Sequence, residues 1–143
     1  MPRIDLVRGD AERLPVGDGT VDAVTIGFGI RNVERPANAC REIARVLRNE
    51  GRLIILEFSL PRSAAVRAVY LWYFRRVLPL IGRVVSRHPT AYTYLPESVE
   101  SFPSPEAFAQ LLRECGFSQV QAVPLTLGVV YMFVATKGNV GAL

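Results

Sequence analysis

The chain divides into short apolar runs separated by segments in which apolar residues recur at helical spacing. Residues 21–28 and 52–58 are nearly continuous apolar runs of strand length, as expected for strands covered on both faces. Between them, Pro36 suits a first helical turn. The apolar residues after it recur at the helical period: Ala39, Cys40, Ile43, Val46 and Leu47. This order of strand, helix and strand predicts a parallel sheet with right-handed crossovers.

The last third of the chain predicts a helix followed by a hairpin. Ser104, Pro105 and Glu106 form a helix start, with a capping hydroxyl, a proline and an early acid, and Gly116 ends the helix. Two closing strands are predicted near 119–125 and 129–136. Because the connection between them is too short for a parallel crossover, they pair as an antiparallel hairpin.

Two other segments carry predictions. Residues 4–8 alternate between apolar and polar and predict a short strand that ends at Gly9-Asp10. Residues 64–85 are long, apolar and helical in character, with a break expected near Pro79 and Gly82. Arginines inside that segment argue against a membrane span.

Charge is distributed unevenly along the 143 residues, whose net charge is +4. Between Glu57 and Glu97 there are six arginines and no acidic residue, which indicates one basic face. Three interpretations are open for residues 62–88: packing on the sheet, covering a lipophilic substrate at a membrane surface, or binding of nucleic acid. Nucleic acid is the least favoured, since no known binding module is present.

Composition favours one soluble α/β domain spanning residues 1–143. We expect this domain to lie in the cytoplasm. Where it contacts lipid, we expect it to bind peripherally at the inner face of the membrane. Cys40 and Cys115 are far apart in sequence and are expected to be reduced thiols, not a disulfide. No metal site is expected, because the chain has one histidine and no cluster of ligands.

Seven short motifs, spread from Gly9 to Lys137, resemble those of the ubiquinone/menaquinone biosynthesis C-methyltransferases. Two are specific: Phe28-Gly-Ile-Arg-Asn-Val33 and Tyr92-x-Tyr-Leu-x-Glu-Ser98. The others are common to many methyltransferases: residues 9–15, 45–48, 51–53, 56–59 and 125–130. The resemblance implies the C-terminal part of a Rossmann-like fold that binds S-adenosylmethionine (SAM), with a mostly parallel sheet ending in an antiparallel hairpin.

The same resemblance implies methyl transfer from SAM to a ring carbon of a lipophilic, polyprenylated quinol, either demethylmenaquinol or the ubiquinone equivalent. The family carries two further strands upstream, with a glycine-rich loop and an acid that binds ribose. We therefore expect residues 4–8 to be detached from the other strands, and strand 21–28 to expose an edge open to a second chain. This polypeptide alone is expected to bind SAM weakly.

The resemblance places the cofactor near Asp10, Ala11 and Gly27. Asp10 follows a strand end, where ligands bind in open α/β sheets, and its carboxylate can accept from the adenine amino group. The Ala11 amide can donate to a ring nitrogen, and Gly27 would let the cofactor lie against backbone. The alternatives are that Asp10 caps its own turn and that Gly27 serves close packing.

Arg31 and Asn32 are the candidate catalytic pair: Arg31 could hold a phenolate oxygen, and Asn32 could orient a substrate carbonyl. Tyr92 and Tyr94 could line the quinone site or simply pack. Glu57 is a candidate for orienting the other site residues. His88, the only histidine, is more consistent with a solvated loop than with a proton acceptor.

Two other functions stay open from the sequence. One is a catalytically incompetent or split methyltransferase remnant that acts as a binding or assembly partner. The other is a methyltransferase for a different aromatic small molecule. SAM binding separates the remnant from the enzyme, and a substrate screen separates the two enzymes.

Overall fold

A four-stranded mixed sheet with the order β1-β2-β4-β3 organises the chain. The computed structural model describes residues 3–85 and 91–139, and the side chains of all of these except 82–85 and 91–93. The strands are β1 (Val21–Gly27), β2 (Leu47–Phe58), β3 (Phe117–Leu125) and β4 (Val130–Lys137). β1 and β2 are parallel, whereas β4 is antiparallel to both β2 and β3. The predicted α/β fold class and the closing hairpin are confirmed.

Five α-helices accompany the sheet: α1 (Pro36–Val46), α2 (Ala64–Trp72), α3 (Leu78–Val85), α4 (Ala91–Ser101) and α5 (Pro105–Glu114). As predicted, the Ser104 side chain caps α5 by accepting from the amide of Ala107. The core lies between α1, α5 and one face of the sheet. There the rings of Phe108 and Phe133 meet edge to face at 4.9 Å between centroids, a favourable aromatic geometry.

The strand after α1 begins earlier than its apolar run indicates. β2 starts at Leu47 instead of residue 52, directly after the helix, and a single residue of β1, Asp22, lies opposite four residues of β2, 48–51, at this point. Gly51 permits the resulting bulge, since a Cβ there would lie 2.8 Å from the carbonyl oxygen of Arg48. The predicted start of this strand was wrong because residues 48–50 are all polar and lack the alternation of apolar and polar residues that indicates a strand.

The predicted break near Pro79 and Gly82 is also wrong. A π-helical turn, Tyr73–Val77, joins α2 to α3, and α3 runs through Pro79 to Val85. A proline inside a helix clashes with the carbonyl four residues before it, and a wider turn is one way to accommodate that clash. The irregularity therefore lies one turn before the proline.

Residues 4–8 form no strand, which corrects that prediction, although their separation from the sheet is confirmed. Ile4 and Leu6 are 84% and 97% exposed. A strand needs a neighbour to pair its backbone groups, and no described strand of the sheet pairs with this segment. Alternating apolar and polar residues therefore do not form a strand unless a second strand pairs with them.

Candidate functional site

The candidate site lies at the carboxyl ends of β1 and β2, the edge where ligands bind in parallel α/β sheets. Gly27 is in register with Leu56, so the two strands end together. Phe28 then adopts a positive φ of 56°, while its amide still donates to the carbonyl of Leu56. This bend leads into a 3₁₀ turn, Ile30–Asn32, which places Arg31 over the end of β2.

A buried ion pair joins that turn to β2. The side chain of Arg31 is 9% exposed and that of Glu57 is fully buried. Arg31 Nη1 donates to Glu57 Oε1 at 2.7 Å, and the Arg31 amide donates to Oε2 at 3.2 Å. The same Nη1 also donates to the Phe28 carbonyl at 2.6 Å. Glu57, a candidate orienter, therefore fixes both the backbone and the side chain of Arg31.

Aromatic rings cover this pair on one side. The Arg31 guanidinium carbon lies 5.5 Å from the centroid of the Phe58 ring, within range of a cation–π contact. Phe28 packs against Phe58 at 4.6 Å between centroids. The low dielectric of such surroundings strengthens the attraction between Arg31 and Glu57, and it raises the cost of losing either partner.

The two specific sequence motifs meet at this point. Arg31 Nε donates to Ser98 Oγ at 3.3 Å, and the Tyr94 hydroxyl donates to Asn32 Oδ1, also at 3.3 Å. Ser98 is a buried residue of α4, whereas Asn32 and Tyr94 are exposed at the rim. The structure thus brings together Arg31, Asn32 and Tyr94, three of the predicted site residues. The side chain of Tyr92 and all of His88 lie outside the described residues.

The Asp10 loop is built differently. Asp10 is exposed, and its Oδ1 accepts from the amide of Glu12 at 2.9 Å, so the carboxylate caps its own turn. The amide of Arg13 closes that turn by donating to the Asp10 carbonyl at 3.0 Å. One carboxylate can accept several hydrogen bonds, so this contact leaves acceptor capacity for a ligand.

Ala11, the neighbour of Asp10, lines an apolar cavity of about 310 Å³ beside β1. Val24 and Ile26 of β1 form one wall, and Ile43 of α1 closes it. Gly27 lies at the end of the same strand, and nothing comes within 4 Å of a Cβ added there. The space beside Gly27 is therefore open, and close packing does not account for this glycine.

Side chains of α1 anchor the Asp10 loop, a role that the sequence did not reveal. Glu42 Oε1 accepts from the Leu14 amide at 2.7 Å and from Arg45 Nη2 at 2.6 Å. Arg45 Nη2 also donates to the Val16 carbonyl at 2.9 Å. The hydrogen bond from Arg45 lowers the pKa of Glu42 to about 2. The sequence signal, one acid and one arginine three residues apart, is too common to single out.

Tyr70 of α2 was also missed. It is 8% exposed, and its hydroxyl has no hydrogen-bond partner among the described atoms. Burial raises the pKa of Tyr70 to about 12, while the positive charge of Arg31 acts in the opposite direction. None of the sequence motifs includes this tyrosine.

Neither metal ligands nor a membrane span is found in the part of the chain that the structure describes. No group of three His, Cys, Asp or Glu side chains there could hold an ion. No described helix is both long and apolar enough to cross a bilayer. Cys40 and Cys115 are free and buried, and burial raises the pKa of Cys40 to about 12.

Solved structures define the class of fold. A SAM-dependent methyltransferase from Thermotoga maritima superposes with a TM-score of 0.61 at 19% identity, covering 94% of this chain and 64% of that one. Another from Aquifex aeolicus gives a TM-score of 0.56 at 16% identity, covering 92% and 53%. These likenesses show the methyltransferase fold.

Sequence comparison defines the family. Residues 1–137 match the model of the ubiE/COQ5 methyltransferase family, and the chain belongs to that family. It is 47% identical over 131 residues to a demethylmenaquinone methyltransferase from Mycobacterium marinum, covering 92% of this chain and 57% of that protein. It is 43% identical over 135 residues to a ubiquinone/menaquinone biosynthesis C-methyltransferase from Geotalea uraniireducens, covering 94% and 57%. The chain thus spans little more than half the length of these relatives.

Proposed function

We propose that this chain forms the substrate side of a SAM-dependent C-methyltransferase acting on a polyprenylated quinol, either demethylmenaquinol or the ubiquinone equivalent. The observation that carries the proposal is the meeting of Arg31 and Asn32 with Tyr94 and Ser98 at the ligand edge of the sheet. Membership of the family and the names of the relatives support the same reaction.

Methylation of a ring carbon requires an electron-rich, deprotonated hydroxyaromatic. Arg31 supplies a fixed positive charge that would stabilise the phenolate, since Glu57 and Ser98 hold its guanidinium in one orientation. Asn32 and Tyr94 form an exposed polar pair that would orient a second oxygen of the ring. This arrangement would hold the reacting carbon in line with an incoming methyl group.

The apolar cavity beside Ala11 fits the adenine ring of SAM, which when bound supplies an electrophilic methyl group. Its lining is hydrophobic and its volume of about 310 Å³ suits a small aromatic ring. Asp10 at its edge keeps acceptor capacity for the adenine amino group. We propose Asp10, Ala11 and Gly27 as the cofactor contacts of this chain.

A binding experiment tests the cofactor side. We expect calorimetry of the 143-residue polypeptide to show SAM binding weaker than micromolar, because these contacts leave the ribose and the methionine carboxylate to water. Fusion to the upstream segment of the Mycobacterium marinum relative should restore binding. Micromolar binding by the polypeptide alone, lost in Asp10→Ala, would contradict this expectation.

Methyl transfer tests the substrate side in the same fusion protein. Asn32→Ala or Arg31→Lys should lower the rate of methyl transfer to demethylmenaquinol about 10²-fold, as expected for loss of one stabilising group. Arg113→Lys is the matched control, since Arg113 is exposed in the last turn of α5. Unchanged rates in both site variants would refute the assigned roles.

Two contacts complete the proposal. The open edge of β1, which pairs only with β2 among the described strands, would receive a further strand from another segment or a second chain.

The basic segment 62–88 would contact anionic lipid at the inner face of the membrane. Arg62 and Arg75 form ion pairs with Glu106 and Glu100, so Arg67 and Arg76 are the better candidates for that contact.

A further inference from the structure

An apolar groove of about 540 Å³ lies between α2 and the 3₁₀ turn Thr126–Gly128 that joins β3 to β4. This turn lies within motif 125–130, for which the sequence predicts no role. The residues that matter for the groove are Val66, Val69, Tyr70 and Trp72 from α2, with Leu127 and Val129 from the turn and its end. The volume lies in the range of sites for small organic ligands, and the lining is almost wholly apolar.

Three of these side chains expose large apolar surfaces. Leu127 is 82% exposed, Val69 67% and Trp72 61%. Such surfaces, when they are contiguous, mark binding sites more often than chance. Leu127 is also held in a left-handed conformation, with φ 58° and ψ 25°, which is unfavourable for a branched residue. The fold therefore maintains an exposed leucine at the mouth of the groove in a conformation that costs energy.

The groove and the Arg31–Glu57 pair lie at the same edge of the sheet. Glu57 pairs with Tyr131 across β2 and β4, and two residues further on the Ser59 amide donates to the Val129 carbonyl at 2.9 Å. Val129 is a wall of the groove. The groove therefore begins next to the end of the strand that carries Glu57.

Tyr70 connects the two places from the other side. It lines the groove, packs on Phe74 at 4.4 Å between centroids, and buries a hydroxyl that lacks a partner among the described atoms. The effect of the Arg31 charge on its pKa supports the proximity of this ring to the candidate site. An apolar ligand in the groove would thus extend past Tyr70 toward the Arg31–Glu57 pair.

We propose that this groove binds the isoprenoid tail of the quinol, with the ring directed toward Arg31 and Asn32. The inference rests on the proposed function for its substrate and adds the subsite, which none of the sequence motifs identified. A second copy of the chain is a less suitable occupant, since the arginine-rich surroundings would repel each other across a twofold interface. A flat bilayer surface matches a concave groove less well than a single flexible chain does.

Trp72 is the only tryptophan of the chain, so its fluorescence reports directly on the groove. The probe is farnesol, an isoprenoid alcohol without a quinol ring, titrated as a monomer below its solubility limit. We expect saturable movement of the Trp72 emission to shorter wavelength. Val69→Asp should raise the dissociation constant at least 10-fold, because it places a charge in the groove.

Two variants control for folding and position. Leu80→Asp introduces the same charge on α3 at a 60% exposed apolar residue outside the groove lining, and should leave farnesol binding unchanged. Leu127→Asn removes a groove wall but suits the left-handed backbone, so it should weaken binding while the far-ultraviolet circular dichroism stays native.

The proposal is overturned if farnesol leaves the Trp72 emission of the folded protein unchanged, or if Val69→Asp and Leu80→Asp behave alike. A shift produced by phosphatidylcholine vesicles but not by monomeric farnesol would also overturn it and make the surface a lipid contact. The titration needs neither SAM nor a quinol ring. Tail binding by the fusion protein without methyl transfer would therefore refute only the proposed function. Methyl transfer without tail binding would refute only the groove.

Discussion

The two sides of the candidate site differ in how the chain holds them. On the side proposed to hold the substrate, Arg31 and Glu57 are nearly or fully buried and are joined by two hydrogen bonds. On the side proposed to hold the cofactor, Asp10 is exposed and its carboxylate caps its own loop. The substrate side is thus fixed by contacts between distant parts of the chain, whereas the cofactor side depends on a local turn.

This difference follows from where each residue lies relative to the sheet. Glu57 ends β2, which has a neighbour on both sides, while the Asp10 loop lies beside β1, whose second edge has no partner among the described strands. A buried charge persists only where the surroundings supply its partners. A loop at an open edge needs only water and a local cap.

The largest effect is expected from removing the carboxylate of Glu57. Glu57→Ala would leave the Arg31 guanidinium nearly buried without its counterion and should lower the free energy of unfolding by about 3–5 kcal/mol. Urea denaturation followed by circular dichroism measures this loss.

Glu100→Ala is the matched control, because Glu100 pairs with Arg75 on the surface and should cost no more than about 1 kcal/mol. The double variant Arg31→Met/Glu57→Leu should be more stable than Glu57→Ala, since no charge is left buried. Equal losses for Glu57→Ala and Glu100→Ala would show that the buried Arg31–Glu57 pair stabilises the fold no more than a surface ion pair does.

The Glu42–Arg45 pair should produce a smaller, pH-dependent effect on the cofactor side. The folded pKa of Glu42, about 2, lies below its unfolded value of about 4.3. Its contribution is therefore complete above pH 4.3 and is lost as the pH falls toward 2. Glu42→Gln should lower the free energy of unfolding by about 1 kcal/mol at neutral pH.

The pH profile decides whether Glu42 acts through its charge. The difference between wild type and Glu42→Gln should shrink between pH 4.3 and 2 and vanish below that range. Glu114→Gln is a suitable control, since Glu114 is exposed at the end of α5. A difference that is constant from pH 7 to pH 2 would mean that the carboxylate charge contributes nothing.

Much of the fold was predictable because its signals are local and periodic. The apolar runs of β1 and β2, the Ser104 cap and the short β3–β4 connection each specify an element, and all were confirmed. The strand expected at 4–8 failed because pairing is a property of two segments. The break expected near Pro79 and Gly82 failed because the helix continues through the proline and the irregularity, a π-helical turn, lies before it.

The site was predictable only as far as motifs identify it. Arg31, Asn32 and Tyr94 were named from sequence, and the structure places them together. Glu42, Ser98 and Tyr70 were missed as contributors because a loop anchor and two buried hydroxyls are created by segments far apart in the chain. The spacing of residues along one sequence does not reveal such contacts.

The smallest effect on stability is expected at Asp10. It tests whether the cofactor side depends only on a local turn. Asp10→Ala removes one exposed hydrogen bond to the Glu12 amide and should cost about 0.5 kcal/mol of unfolding free energy. Asp10→Asn keeps an acceptor for that amide and should cost close to nothing. In the fusion protein proposed above, the order should hold for SAM affinity as well, because the asparagine oxygen can still accept from the adenine amino group. A loss in Asp10→Ala as large as that in Glu57→Ala would mean that the Asp10 loop is part of the folded core, and the contrast between the two sides would fail. A loss of stability without any loss of SAM affinity would instead keep Asp10 as a turn cap and remove it from the cofactor site.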